Sequence, residues 1–142
     1  MTKPWRVLGR LAETKVQECQ QELQKINLVL AQLEQRKTQI LLLIAENQAR
    51  LAEKRLGCSM NEIQVLTRFI TSLGGALQGT QVEMEIVQQK RKLAMDQLKE
   101  ARKQGLKMDS LMEREETRRF KEREQREQKA IDTAAIGLFN RK

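Results

Sequence analysis

Hydrophobic positions recur along this chain at alternating spacings of three and four. From Ser59 onward the register runs through Ile63, Leu66, Ile70, Leu73, Leu77, Thr80, Met84, Val87, Arg91, Ala94, Leu98, Ala101, Gly105, Met108 and Met112. Most of these are apolar, which is the 3.5-residue repeat of a coiled-coil helix. Past Met112 the same register lands on Glu115, Arg119, Glu122 and Arg126, so the helical pattern continues while the apolar seam stops. The first half carries a matching seam: Ala12, Val16, Cys19, Leu23, Ile26, Leu30, Leu33, Lys37, Ile40, Ile44, Asn47 and Leu51. Lys37 and Asn47 are polar seam positions, of the kind that fix register at some loss of stability. Leu8 and Leu11 sit one place out of register, the drift by which a helix relaxes out of a supercoil.

Between the two seams lies the strongest local boundary, Leu56-Gly57-Cys58-Ser59. Gly57 suits a helix C-cap, and Ser59 with Glu62 forms a capping box. At the other end, Thr2 and Pro4 suit a cap and a first turn. The expectation is an all-α fold: one domain over residues 1–142, a long antiparallel two-helix coiled-coil hairpin with an overhanging C-terminal helix. Helix one covers about 5–55, the turn 56–59, helix two about 60–130, and a tail 131–142. So short a turn pairs position i with roughly 115 minus i. That puts Trp5 near Ser110, close to where the second seam ends, and makes the paired part about 75 Å long.

The stretch Glu113–Lys129 is charged at thirteen of its seventeen positions, with mixed signs. Opposite pairs such as Glu115–Arg119 and Glu122–Arg126 each add about 0.2–0.5 kcal/mol, enough together to hold an unpaired helix. The tail then turns apolar at Ile131, Ala134, Ala135, Ile136, Leu138 and Phe139, and Gly137 is expected to interrupt the helix. An apolar tip beyond a solvated helix has no partner inside the hairpin, which suggests docking into another protein. Two further features point outward. Leu41, Leu42 and Leu43, with Leu28 and Val29, make helix one apolar off its seam, more than one partner helix covers. Phe69, Leu73 and Ala76 form a stripe on helix two, beside Gly74, Gly75 and Gly79. Those glycines fit either a flexible stretch or the close approach of another chain.

Composition supports a long-helix protein: 142 residues, four aromatics and one proline, far from the usage of a globular core with frequent turns. The net charge of +8 is spread over both halves. Its densest excess, Lys90 to Lys107, could attract an acidic protein or anionic lipid, or be a solvated face. A concentrated basic arm with interleaved aromatics is missing, which argues against nucleic acid as partner. Two cysteines and no histidine exclude the usual zinc sites. No nucleophile–base pair or phosphate loop is visible, so the reading is a non-enzyme without cofactor or metal. The longest apolar run, Ile40–Ala45, is too short to span a bilayer, and the N-terminus lacks a signal-peptide core. A cytoplasmic location is expected.

Taken together, these features resemble the FliJ family, coiled-coil stalks of the bacterial flagellar export apparatus. The resemblance covers the whole chain in architecture, and its most specific stretch is Arg68-Phe69-Ile70-Thr71-Ser72-Leu73-Gly74-Gly75-Ala76-Leu77. This stretch is similar to the segment with which the family contacts the membrane export gate, which implies gate contacts at Phe69, Leu73 and Ala76, and at Gln39 and Leu43 on helix one. Glu46 and Arg50 stand where the family has aromatics. The resemblance further implies a stalk whose termini end inserts into a hexameric export ATPase and activates it, with ring contacts at Arg118, Arg119, Arg123, Arg126, Ile131, Ile136, Leu138 and Phe139. It implies binding of export chaperones and a cytoplasmic place peripheral to the inner-membrane export complex. The injectisome counterpart of the stalk, or a generic structural coiled coil, is the alternative.

Overall fold

A computed structural model describes residues 3–54, 57 and 59–140. The fold is all-α. Two long helices, α1 (Lys3–Lys54) and α2 (Met60–Asn140), pack against each other as an antiparallel hairpin. Pro4 lies in the first turn of α1, where a missing N–H is no loss. Thr2, Leu56 and Cys58, which carried part of the expected caps and turn, lie outside the described residues. Contacts divide the chain into two compact units, both built from α1 and α2: one from residues 1–17 and 99–142, the other from 18–98.

The 18–98 unit contains the turn. Gly57 N–H donates to the Lys54 carbonyl at 3.3 Å and Ile63 N–H to the Ser59 carbonyl at 3.4 Å. No described glycine has positive φ, so Gly57 is not the left-handed cap that its position suggests. A tight three-residue closure serves instead, and it needs no left-handed residue. Glu62 also differs from its capping-box role: its carboxylate pairs with Lys54 Nζ across the turn at 3.4 Å.

The seam of this unit follows the sequence repeat closely. Cys19, Leu33, Ile40, Asn47, Leu73, Thr80, Ala94 and Leu98 are buried, and the seam positions between them are half-buried. Arg91 departs from the pattern. It is exposed, and its Nε donates to Asn27 Oδ1 at 2.8 Å, because a guanidinium keeps its head in water while its stem covers the seam. The buried polar groups bond within their own helices. Asn47 Nδ2 donates to the Leu43 carbonyl at 2.7 Å, and Thr80 Oγ1 to the Ala76 carbonyl at 2.9 Å. Asn47 therefore makes no bond across the seam of the kind that sets register. The pairing runs about one turn further than a symmetric turn predicts. Arg36 meets Glu83 at 3.5 Å, not the level of Gly79.

In the other unit, Trp5, Gly9, Ala12 and Val16 of α1 face Ala101, Gly105, Met108 and Met112 of α2. A Cβ on Gly9 would lie 3.3 Å from Met112 Sδ, so this glycine permits a close approach. The half-buried positions do not stop at Met112. Glu115 and Arg119 continue them as an ion pair, Arg119 Nε to Glu115 Oε1 at 3.4 Å. From Lys121 to Asn140 every residue is exposed. The helix runs unbroken through Gly137, ten residues beyond its expected end near residue 130. One glycine costs about 1 kcal/mol in a helix interior, and the flanking Ala134, Ala135, Ile136 and Leu138 are not breakers.

Candidate partner-binding surfaces

Four of the five residues expected at a gate surface are accessible on one face of the 18–98 unit. Gln39 and Leu43 of α1 are exposed, as are Ala76 and Phe69 of α2, the last at 46%. The Arg36–Glu83 pair fixes their levels. One seven-residue repeat nearer the turn, Leu43 comes beside Ala76, and a second repeat brings Arg50 beside Phe69. Leu73 is different. It is only 9% exposed and belongs to the seam. Its place in a Phe69–Leu73–Ala76 stripe reflects helical spacing, but its side chain points at α1.

The same face continues away from the turn as an apolar groove. Val29 and Ile26 of α1 with Val87, Leu93 and Ala94 of α2 line a cavity of about 360 Å³, rimmed by Glu22, Lys25, Lys90 and Gln97. Ile86 lies on the adjoining stretch, with Val29, Arg36 and Glu83. The sequence reading passed over Ile86 and Leu93, and took Lys90 only as the start of a basic stretch. A signal for them existed: Gly79, Ile86 and Leu93 repeat at seven-residue spacing, parallel to the main seam. Gly74, Gly75 and Gly79 are exposed within an intact helix, and a Cβ added at any of them meets nothing within 4 Å. Packing inside the chain gives no reason for glycine there.

The residues expected to contact an ATPase ring all belong to the other unit, and they fall into two groups. Arg118 and Arg119 are committed to an ion-pair network. Arg118 Nη2 lies 2.7 Å from Glu115 Oε1, its Nη1 3.8 Å from Glu122, and Arg119 shares Glu115. The Arg118 guanidinium, donating a hydrogen bond, holds the Glu115 carboxyl below the usual carboxylate range, and the charges of Arg118 and Arg119 add to it. Trp5 and Met112 lie against this network, closing a small cavity of about 30 Å³ with Arg6, Glu115, Glu116 and Arg119. The sequence reading placed Trp5 level with the end of the second seam, but its contact with Glu115 and Arg119, past that end, was not legible. Arg123, Arg126, Ile131, Ile136, Leu138 and Phe139 form the second group. All are exposed, Phe139 at 81%.

Among the described residues no group of three or more His, Cys, Asp or Glu comes together to hold a metal ion. No described helix is long and apolar enough to cross a membrane. The arrangement offers surfaces for partners: one on the 18–98 unit, one at the end of α2.

Comparison with curated proteins and with solved structures returned no match in either case. The profile of one family, described as Flagellar FliJ protein, matches residues 2–142. The match covers essentially the full sequence, so this helical hairpin belongs to the FliJ family and is a protein associated with flagellar export.

Proposed function

We propose that the chain is the non-enzymatic central stalk of the flagellar type III export apparatus. Its α2 extends past α1, inserts into a hexameric export ATPase and activates it. Arg123, Arg126, Ile131, Ile136, Leu138 and Phe139 make the ring contacts, and Arg118 and Arg119 brace the base of this segment through Glu115. The face carrying Gln39, Leu43, Phe69 and Ala76 meets the membrane export gate, and Leu73 supports it from the seam. Export chaperones are further partners. The protein works in the cytoplasm, peripheral to the inner-membrane complex. The observation that carries this reading is the family match over residues 2–142. The exposed apolar end of α2 is in keeping with it, since Ile131, Ile136, Leu138 and Phe139 have no cover within the chain. The family match favours the flagellar system over an injectisome.

The test is ATP hydrolysis by the cognate export ATPase, with full-length protein, with a chain ending at Lys129, and with Phe69→Ala. Full-length protein should raise hydrolysis or hexamer formation, and the shortened chain should do so weakly. Phe69→Ala should keep the stimulation while binding to the gate drops by about tenfold or more, as for an exposed aromatic anchor. If a competent ATPase ignores the full-length protein, the stalk reading fails.

A further inference from the structure

In the unit formed by residues 1–17 and 99–142, the seam residues Ala101, Gly105, Met108 and Met112 turn toward α1. The opposite face of α2 therefore carries Lys99, Lys103, Lys107, Arg114 and Lys121, all exposed. None of these five cations has an ion pair among the described residues. Glu100 and Glu113 are the acids on that face, so positive charge dominates it. Two apolar side chains stand out between the cations: Leu106 and Phe120 are exposed at 67% and 61%. On its basic side Leu106 borders a depression lined only by α2, from Lys103 to Arg114; on its other side it edges a groove walled by Gly9, Ala12, Glu13, Val16 and Gln17 of α1.

We propose that this face of α2 binds an anionic membrane surface, with the cations on lipid phosphates and Leu106 and Phe120 reaching into the headgroup layer. Charge complementarity identifies the lipid: each Lys or Arg held near an anionic leaflet adds to the attraction. The exposed apolar side chains among the cations add contact with the headgroup layer to that attraction, and no described helix is long and apolar enough to cross a membrane. A protein partner fits less well, since the depression among the cations themselves is lined by α2 alone and offers no walled pocket to seat an anchor. Duplex DNA also fits less well. Lys99 to Lys121 spans about 33 Å along an unbroken helix. A plane touches that line throughout, while the phosphates of a duplex wind away from it. The inference does not depend on the stalk reading.

The experiment is sedimentation with vesicles of phosphatidylcholine containing about one-third phosphatidylglycerol, with pure phosphatidylcholine vesicles as the blank. Three chains are compared: the unaltered one, a triple variant Lys99→Gln, Lys103→Gln and Lys107→Gln, and a control of equal net charge, Lys15→Gln, Lys25→Gln and Arg50→Gln. Circular dichroism checks that all three remain helical. The unaltered chain should partition onto anionic vesicles and release with rising salt. The Lys99, Lys103 and Lys107 variant should bind at least about tenfold more weakly, while the control stays within about twofold. Leu106→Gln should weaken partitioning with no change in its salt dependence. Equal losses in both triple variants would overturn the proposal, because net charge alone would then explain binding. Absent vesicle binding, or tighter binding to duplex DNA or polyglutamate lost in the same variant, would overturn it as well.

Discussion

At the scale of single residues, burial separates positions that spacing alone leaves equivalent. Leu33 is 5% exposed, near the centre of the 18–98 seam. Leu33→Ala should cost about 2–4 kcal/mol in urea unfolding, through lost burial and the cavity left behind. Phe69→Ala should change the same measurement by less, about 1 kcal/mol, since nearly half of the residue is exposed. Gly74, Gly75 and Gly79 give a change in the opposite direction. Each sits in a regular helix with open space where a Cβ would go. Alanine at any of them should therefore stabilise the hairpin by about 0.5–1 kcal/mol. Gly9→Ala should gain less, because its Cβ meets the Met112 thioether at close range. The sequence placed nearly every seam residue correctly, because a 3.5-residue repeat leaves little choice of face. It could not separate Leu73 from Phe69 as a docking residue, since one residue can belong to two overlapping stripes. Only the position of α1 decides which stripe is covered.

At the scale of elements, the junction of Trp5 with Met112, Glu115 and Arg119 fastens the start of α1. Glu115 titrates below its ordinary value because Arg118 and Arg119 hold it ionised. A carboxylate depressed in the folded state contributes stability above its unfolded pKa and loses it as pH falls through the folded value. The loosening should therefore appear on acidification below the usual glutamate range. Trp5 emission should shift to longer wavelength there, before helicity by circular dichroism declines. Glu115→Gln should show the shifted emission already at neutral pH. If Trp5 emission in the parent chain follows global unfolding only, this junction is no separate fastening. Element boundaries were less legible than faces. Gly57 and the Ser59–Glu62 pair marked the turn correctly, but Gly57 is not left-handed, and the Glu62 carboxylate pairs with Lys54 in place of reaching back to the Ser59 N–H. The end of α2 was set too early for a similar reason: Gly137 is a weak breaker when its neighbours favour helix.

At the scale of the whole molecule, the repeats made an all-α hairpin readable from sequence, and the family match over residues 2–142 agrees with the resemblance read from the architecture of the whole chain. The second groove beside Ile86 and Leu93 was harder to read. Its repeat begins at Gly79, which has no side chain, and is flanked by Glu83 and Lys90, so it looks like an ordinary solvated face until α1 supplies Val29. Stability should be unevenly shared along the chain. Every residue from Lys121 to Asn140 is exposed, so ending the chain at Lys129 should leave the stability of the hairpin in urea almost unchanged, within about 0.5 kcal/mol. That same truncation removes Ile131, Ile136, Leu138 and Phe139, so it separates folding from the proposed ring contacts in a single variant. The self-satisfied polar groups of the seam have a mechanical consequence. Asn47 and Thr80 each bond inside their own helix, and no described side chain is less than 2% exposed. Separating α1 from α2 in the 18–98 unit therefore breaks no buried cross-helix hydrogen bond and meets no dominant anchor. Under load such a seam parts like a zipper, tooth by tooth at nearly even resistance, and closes again along the same track.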